Sequence, residues 1–163
     1  MAAELLSIDA VSEAALPDFS APMTGGQTFR LSDYRGRKLV LYFYPKDNTP
    51  GCTTESIHFR DRHTDFQAAN AEVFGLSRDS IRSHEGFKAK LDLPFELISD
   101  QDESVCRQFD VMKSKMMYGK KVIGIERSTF AIDASGCLVK EWRGVTVSDH
   151  VEEVLDFMNS FDR

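Results

Sequence analysis

Apolar runs along this chain alternate between the spacing of strands and that of helices. Lys38 to Tyr44 contains Leu39-Val40-Leu41-Tyr42-Phe43, an unbroken apolar and aromatic run closed by Pro45. Such a run predicts a central strand buried on both faces. Gly25-Gly26 marks a turn leading into Thr28-Phe29-Arg30-Leu31, a short alternating strand. A polar stretch, Lys46 to Thr49, precedes a helix predicted from Pro50 to about Ala69. Thr49 is placed to cap it, Pro50 suits its first position, and Phe59, His63 and Phe66 recur on one face. Val73-Phe74-Gly75-Leu76 is a further strand, Ser83 to Leu91 a helix, Pro94 to Ile98 extended, and Asp102 to Phe109 a helix. Ser128 to Ile132 and Cys137 to Trp142 are strands joined by the Asp133-Ala134-Ser135-Gly136 turn. The last helix begins after Ser148 with Asp149, Glu152 and Glu153 in its first turn, matched to the dipole. Val151, Val154, Leu155 and Met158 form its apolar stripe.

Strands alternating with helices, then a hairpin and a final helix, predict an α/β fold. It has a central mixed β-sheet with helices on both faces, and a thioredoxin-like arrangement fits it. No repeat, low-complexity tract or linker divides the 163 residues, so a single domain is expected, with residues 1–16 as a weakly patterned arm.

Composition narrows the class. The 42% hydrophobic and 28% charged residues are those of a soluble globular protein, and a net charge of -6 argues against a nucleic-acid partner. No apolar run approaches the roughly 20 residues that span a bilayer. The N-terminal Met-Ala-Ala-Glu-Leu-Leu-Ser-Ile-Asp lacks the basic and apolar segments of a signal peptide. The expected location is the cytoplasm, with no membrane partner. Three cysteines, Cys52, Cys106 and Cys137, are an odd, sparse set that reads as reduced thiols.

The segment with most chemistry is Pro45-Lys46-Asp47-Asn48-Thr49-Pro50-Gly51-Cys52, between the buried strand and the helix. A cysteine in a first helical turn meets unpaired backbone N–H groups and the positive end of the dipole, both of which favour thiolate. Position alone leaves two readings open for Cys52: a reactive nucleophile, or a small buried apolar residue. A metal site is disfavoured. No second cysteine stands at ligand spacing, and His58 and His63 are on different faces of the helix.

Pro45-x-x-x-Thr49-x-x-Cys52 matches the active-site motif of the peroxiredoxins. The longer string Tyr42-Phe43-Tyr44-Pro45-Lys46-Asp47-Asn48-Thr49-Pro50-Gly51-Cys52-Thr53-Thr54-Glu55 resembles their bacterioferritin-comigratory-protein (PrxQ) branch. Gly75 to Ser80, Tyr118-Gly119-Lys120 and Gly124 to Phe130 resemble later signatures of that branch, so the likeness runs in order after about residue 15. The resemblance implies that Cys52 is the peroxidatic nucleophile, that Thr49 hydrogen-bonds the peroxide, and that Pro45 shields the thiolate from water. It implies that Arg127 sets a permanent guanidinium beside sulfur and peroxide, with backbone N–H groups of Gly51 and Cys52 doing similar work. Arg127 by itself would read as a surface ion-pair residue. The implied activity is thiol-dependent reduction of hydrogen peroxide and alkyl hydroperoxides, through a Cys52 sulfenic acid, with no metal, flavin or haem. The implied assembly is a monomer, with a weak dimer as the alternative.

One departure matters. Resolving cysteines of the branch stand at the positions of Ile57 and Lys88 here. Cys106 reads as a packing residue and Cys137 as a strand residue, with intermolecular pairing through an exposed Cys137 as the alternative. The expectation is a one-cysteine mechanism reset by an external thiol: thioredoxin, glutaredoxin or glutathione. A peroxide sensor or relay protein shares the first step and differs in turnover; a disulfide oxidoreductase is disfavoured without Cys-x-x-Cys. Of the remaining residues, Trp142 is expected to pack on the sheet, and Met112, Met116 and Met117 to fill gaps. The four histidines form no cluster. Glu55 is either near the site or a capping or surface residue.

Overall fold

A computed structural model describes residues 14–162. Most of the proposed N-terminal arm lies outside the described residues. Leu16, at its end, is buried, and its N–H donates to the Gly136 carbonyl.

Among the described residues nine strands run in chain order: β1 (Ser20–Met23), β2 (Gln27–Arg30), β3 (Lys38–Phe43), β4 (Ala71–Ser77), β5 (Leu97–Ser99), β6 (Met112–Met117), β7 (Lys120–Ile125), β8 (Ser128–Ile132) and β9 (Leu138–Arg143). The helices are α1 (Pro50–Asp61), α2 (His63–Ala68), α3 (Ile81–Leu91), α4 (Ser104–Gln108) and α5 (His150–Met158). Seven strands form one sheet in the order β2-β1-β5-β4-β3-β8-β9, while β6 and β7 stand apart as a two-stranded ribbon. β4 pairs in parallel with β3 and β5, and the other pairings are antiparallel. A parallel pair needs a crossover, which α1 and α2 supply between β3 and β4, and α3 between β4 and β5. The mixed α/β sheet expected from the sequence is therefore present.

β3 divides the core. Successive strand residues point to opposite faces. Leu39, Leu41 and Phe43 join Phe29, Phe109 and Phe130 on one side, while Val40 and Tyr42, with Tyr44 just beyond, join Phe59, Phe66 and Val154 on the other. α4 covers the first face; α1, α2, α3 and α5 contribute to the second. The stripe of α5 is as expected: Val151, Val154, Leu155 and Met158 are all buried. Trp142 packs edge-on to His150 and Phe157, with ring centroids 5.9 and 5.7 Å away.

Several elements differ from expectation. The helix expected from Pro50 to Ala69 breaks at Arg62, whose backbone sits at φ -107°, ψ 10°. The break brings the Phe59 and Phe66 rings to 5.7 Å, closer than the roughly 10 Å rise of seven residues on a straight helix. Asp149 is not within the first turn of α5 but precedes it at φ 63°, leaving Glu152 and Glu153 to meet the dipole. β1 and the β6–β7 ribbon were not anticipated. Met116 and Met117, expected to fill gaps, are exposed on that ribbon; only Met112 packs against the core.

Candidate active site

β3 lies inside the sheet between β4 and β8, and Tyr44 extends its ladder by donating its N–H to the Leu76 carbonyl. Pro45 ends the pairing. The chain then turns through Asn48 at φ 65° and enters α1 at Thr49. Pro50 occupies the first helical turn, where a missing N–H costs nothing. Thr49 stands at the N-cap position, but its hydroxyl does not cap. It donates to the Lys46 carbonyl at 2.8 Å, which draws the turn together.

Cys52 follows in that first turn, among N–H groups with no partner inside the helix. It is 1% exposed and belongs to the second core face. Both sequence readings hold in part: the side chain is buried, yet it meets a cation. Arg127, between β7 and β8, donates from one guanidinium nitrogen to Cys52 Sγ at 3.4 Å and from the other to Glu55 Oε1 at 2.7 Å. Gly51 makes room for this fork, since a Cβ there would lie 3.0 Å from Arg127 Nη2. Glu55 is neither a cap nor a surface residue: it is fully buried, one turn past Cys52, with Oε2 lacking a hydrogen-bond partner among the described residues. Burial pushes its carboxyl up to about 7 against the pull of Arg127. Burial also opposes the Arg127 charge, but Glu55 and Cys52 outweigh it and move the guanidinium further up.

A second network, which sequence reasoning missed, fixes the turn itself. Asp47 is buried and accepts from Tyr44 Oη at 2.6 Å and from Ser83 Oγ at 2.8 Å, while His84 Nδ1 lies 2.8 Å from its Oδ2. His84 Nε2 faces the Ile98 carbonyl at 2.9 Å. Both ring nitrogens thus face oxygen atoms. The Asp47 N–H donates to Asp79 Oδ2 at 2.9 Å. Ligand atoms of Asp47, Asp79 and His84 lie within 4.8 Å of one another, but those of Asp47 and Asp79 already accept these bonds, so a cation would compete with the fold. The signal available in the sequence was Asp47 inside the motif and Ser83-His84 near a helix start. Nothing in their spacing joined them.

A cleft of about 370 Å³ opens beside the guanidinium, between Pro45, the Gly144-Val145 loop and the β6–β7 ribbon. The structure thus gathers Pro45, Arg127 and Cys52, with Thr49 at the same turn. The other cysteines lie elsewhere. Cys106 is fully buried on the first core face, across the sheet from Cys52, and burial pushes its thiol far up. Cys137 precedes β9 next to the Ile132 end of β8, where Leu39 pairs, whereas Phe43 and Ser128 mark the Cys52 end. The two ends are separated by about 13 Å of strand. Cys137 is buried too, which removes the exposed-thiol alternative. Among the described residues, no helix is long and apolar enough to cross a membrane.

A cysteine at the start of a helix, held beside a guanidinium on a thioredoxin-like sheet, is the arrangement of a thiol-dependent peroxidase. A sequence model described as the AhpC/TSA family matches residues 13–141, and the chain belongs to that family. It is 52% identical over 139 residues to Peroxiredoxin Bcp of Bacillus subtilis, covering 85% of this chain and 88% of that protein. To Peroxiredoxin Bcp of Xanthomonas campestris it is 49% identical, with 90% and 93% covered. A solved structure of Xanthomonas campestris Peroxiredoxin Q superposes with a TM-score of 0.86 at 43% identity over the whole of both chains. The chain is therefore a peroxiredoxin of the Bcp (PrxQ) type and an oxidoreductase that reduces peroxides with thiols.

Proposed function

We propose that the protein, working as a monomer, reduces hydrogen peroxide and alkyl hydroperoxides through Cys52 alone and is reset by an external thiol. The observation that carries this is the Arg127 fork, which reaches Cys52 Sγ and buried Glu55 at once. A solved Xanthomonas campestris bacterioferritin comigratory protein, 44% identical over 95% of this chain, is described for its alkyl peroxide reduction activity, which supports the substrate class.

In the proposed step the Cys52 thiolate attacks one peroxide oxygen in line. The O–O bond breaks, sulfur gains oxygen to become sulfenic acid, and the leaving oxygen departs as alkoxide or hydroxide, to be protonated to alcohol or water. Arg127 faces the charge that develops on the leaving oxygen, aided by the N–H groups at the α1 start. Thr49 commits its hydroxyl proton to Lys46, so its oxygen is left to accept from the O–H of the peroxide. Pro45, on the rim of the cleft, limits water around the sulfur. With Ile57 and Lys88 at the branch's resolving positions and Cys106 and Cys137 remote, the sulfenic acid meets no second thiol of its own chain.

The test is mass spectrometry after one equivalent of peroxide, on the wild type and on Cys106→Ser and Cys137→Ser. One added oxygen at Cys52 in all three is expected. A disulfide from Cys52 to either residue overturns the one-cysteine reading, and an unmodified Cys52 overturns its assignment as nucleophile. Many turnovers with thioredoxin, glutaredoxin or glutathione separate an enzyme from a relay that oxidises once.

A further inference from the structure

We infer that the β6–β7 ribbon is the docking surface for the reductant, and that this reductant is a small dithiol protein with an apolar face rimmed by acidic residues. The inference rests on the peroxidase reading and names its second partner.

Among the described residues, the large apolar side chains left exposed all belong to this ribbon: Met116 at 67%, Met117 at 47%, Tyr118 at 98% and Ile123 at 59%. Directly paired residues share a face of a two-stranded ribbon. Met112 pairs with Ile125, Ser114 with Ile123 and Met116 with Lys121, so one face carries an apolar stripe from the core edge to the tip. Exposed apolar surface concentrated in one place marks an interaction site.

The tip adds an independent sign. Tyr118 and Gly119 form its two-residue turn, both at positive φ, 53° and 77°. Asn-Gly is the natural choice there, and a bulky aromatic carries a steric penalty. Tyr118 recovers nothing from the fold, being almost wholly in solvent. A residue unfavourable for its turn and useless to the core is placed for something outside the chain.

Charge selects the partner. The ribbon contains Lys113, Lys115, Lys120 and Lys121 and no acidic residue, in a chain of net charge -6. Among the described residues, only Lys113 of these is in an ion pair, with Asp110. By the same pairing Lys121 shares the stripe's face while Lys113, Lys115 and Lys120 lie on the other, so two ribbons meeting stripe to stripe would oppose two lysines with no acidic residue on either to pair them, which disfavours self-association here. A lasting partner would also sit over the cleft that opens beside Arg127. A transient, acidic-rimmed dithiol protein meets both constraints and arrives where the sulfenic acid is formed. Its first thiol attacks the Cys52 sulfenic acid, expelling water and forming a mixed disulfide. Its second thiol attacks its own sulfur in that bond, so Cys52 leaves as thiol and the partner keeps an intramolecular disulfide, two electrons poorer.

The experiment follows peroxide consumption driven by dithiothreitol, by a bacterial thioredoxin with its reductase and NADPH, and by a glutaredoxin with glutathione. The variants are Tyr118→Asn, Met116→Ser and Lys120→Glu/Lys121→Glu. Tyr118→Asn installs the preferred turn, so it folds at least as stably as wild type. Dithiothreitol turnover is expected to stay unchanged in all variants, while KM for one of the two proteins rises about tenfold, the effect of removing an interface anchor. That KM is also expected to rise with salt. An unchanged protein KM in every variant overturns the inference, as does a wild type that turns over with dithiothreitol but with neither protein. A wild-type dimer that Tyr118→Asn converts to monomer overturns it in favour of a second copy. Absence of turnover even with dithiothreitol instead defeats the peroxidase reading.

Discussion

Replacing Glu55 with glutamine tests whether the buried acid beside Arg127 is held at a cost. The two groups meet at 2.7 Å, which alone suggests a strongly ionised pair. Burial argues otherwise. At an effective dielectric of about 20, opposite charges ~4 Å apart gain roughly 4 kcal/mol, whereas desolvation costs several kcal/mol for each ion. Glu55 is fully buried, and Oε2 has no donor to compensate it. Desolvation therefore wins, in accord with a carboxyl raised from an ordinary 4.5 to about 7.

The sign follows from proton uptake. Between pH 4.5 and about 7 the unfolded chain has released the Glu55 proton while the folded chain retains it. Native stability therefore falls as pH rises through that window and is level above it. At about 1.4 kcal/mol per pH unit the loss is on the order of 3 kcal/mol. A glutamine amide carries no such proton, so Glu55→Gln gains on wild type by about that amount between pH 4 and pH 8. Urea unfolding of both proteins under dithiothreitol, with equal m-values, measures the difference. A difference that is flat with pH would show the Glu55 carboxyl to be unshifted by burial, and one that favours wild type as pH rises would show Glu55 to be a net stabilising anion; either result refutes the reasoning.

Three further outcomes are expected. Arg127→Met lowers the second-order rate with peroxide by roughly 10²–10³, the scale of losing one donor to a developing anion, and Arg127→Lys restores little because a single ammonium cannot reach Glu55 and sulfur together; stopped-flow kinetics with folding checked by circular dichroism decides this. Gly51→Ala, whose Cβ would press on Arg127 Nη2, slows the same step by displacing the guanidinium, and unaltered kinetics would show that the fork has slack. His84→Ala leaves Asp47 buried beside Asp79 without its hydrogen bond to the ring and costs roughly 1–3 kcal/mol in urea unfolding, the scale of an unmade buried hydrogen bond.

How much of this was legible in the sequence depended on whether local pattern and tertiary role agreed. β3 announced itself because burial on both faces leaves an unbroken apolar run, and α5 because one face is apolar and the other charged. The β6–β7 ribbon did not. Met112 to Met117 alternates apolar and lysine residues only in part, and its turn carries Tyr118 where Asn would have signalled a hairpin. The break at Arg62 carries no glycine or proline; it is set by where Phe59 and Phe66 must go. At the site, Cys52 was visible through helix position, but Arg127 needed the family's string, since it is 75 residues distant in sequence. Glu55 could be singled out by its place one turn past Cys52, though not its partner, whereas the Asp47–His84 pair was hidden for a different reason. Buried charged groups are chosen by their partners, and partners brought together by the parallel β3–β4–β5 crossovers leave no periodicity to read.

Those hidden pairs bear on the second half of the cycle. Cys52 is 1% exposed, and no protein thiol can align with a sulfur buried in the second core face. Reduction by a protein therefore requires the first turn of α1 to move outward. What holds that turn is mostly outside the helix: Arg127 from the β7–β8 junction, Asp47 bound to α3 through Ser83 and His84, and Tyr42 to Ser56 at 2.9 Å. Two of these three anchors hold ionisable side chains in a dry environment, where losing one partner is costly. In the thiolate form that attacks peroxide, the Arg127 guanidinium 3.4 Å from Sγ favours this arrangement. Oxidation to neutral sulfenic acid removes that charge and weakens one anchor at the moment when access is needed. On this argument the same guanidinium that promotes attack also reports that attack has occurred. Arg127→Met should then make α1 amides exchange at similar rates in the thiol and sulfenic forms, whereas in wild type oxidation should accelerate exchange in that turn alone.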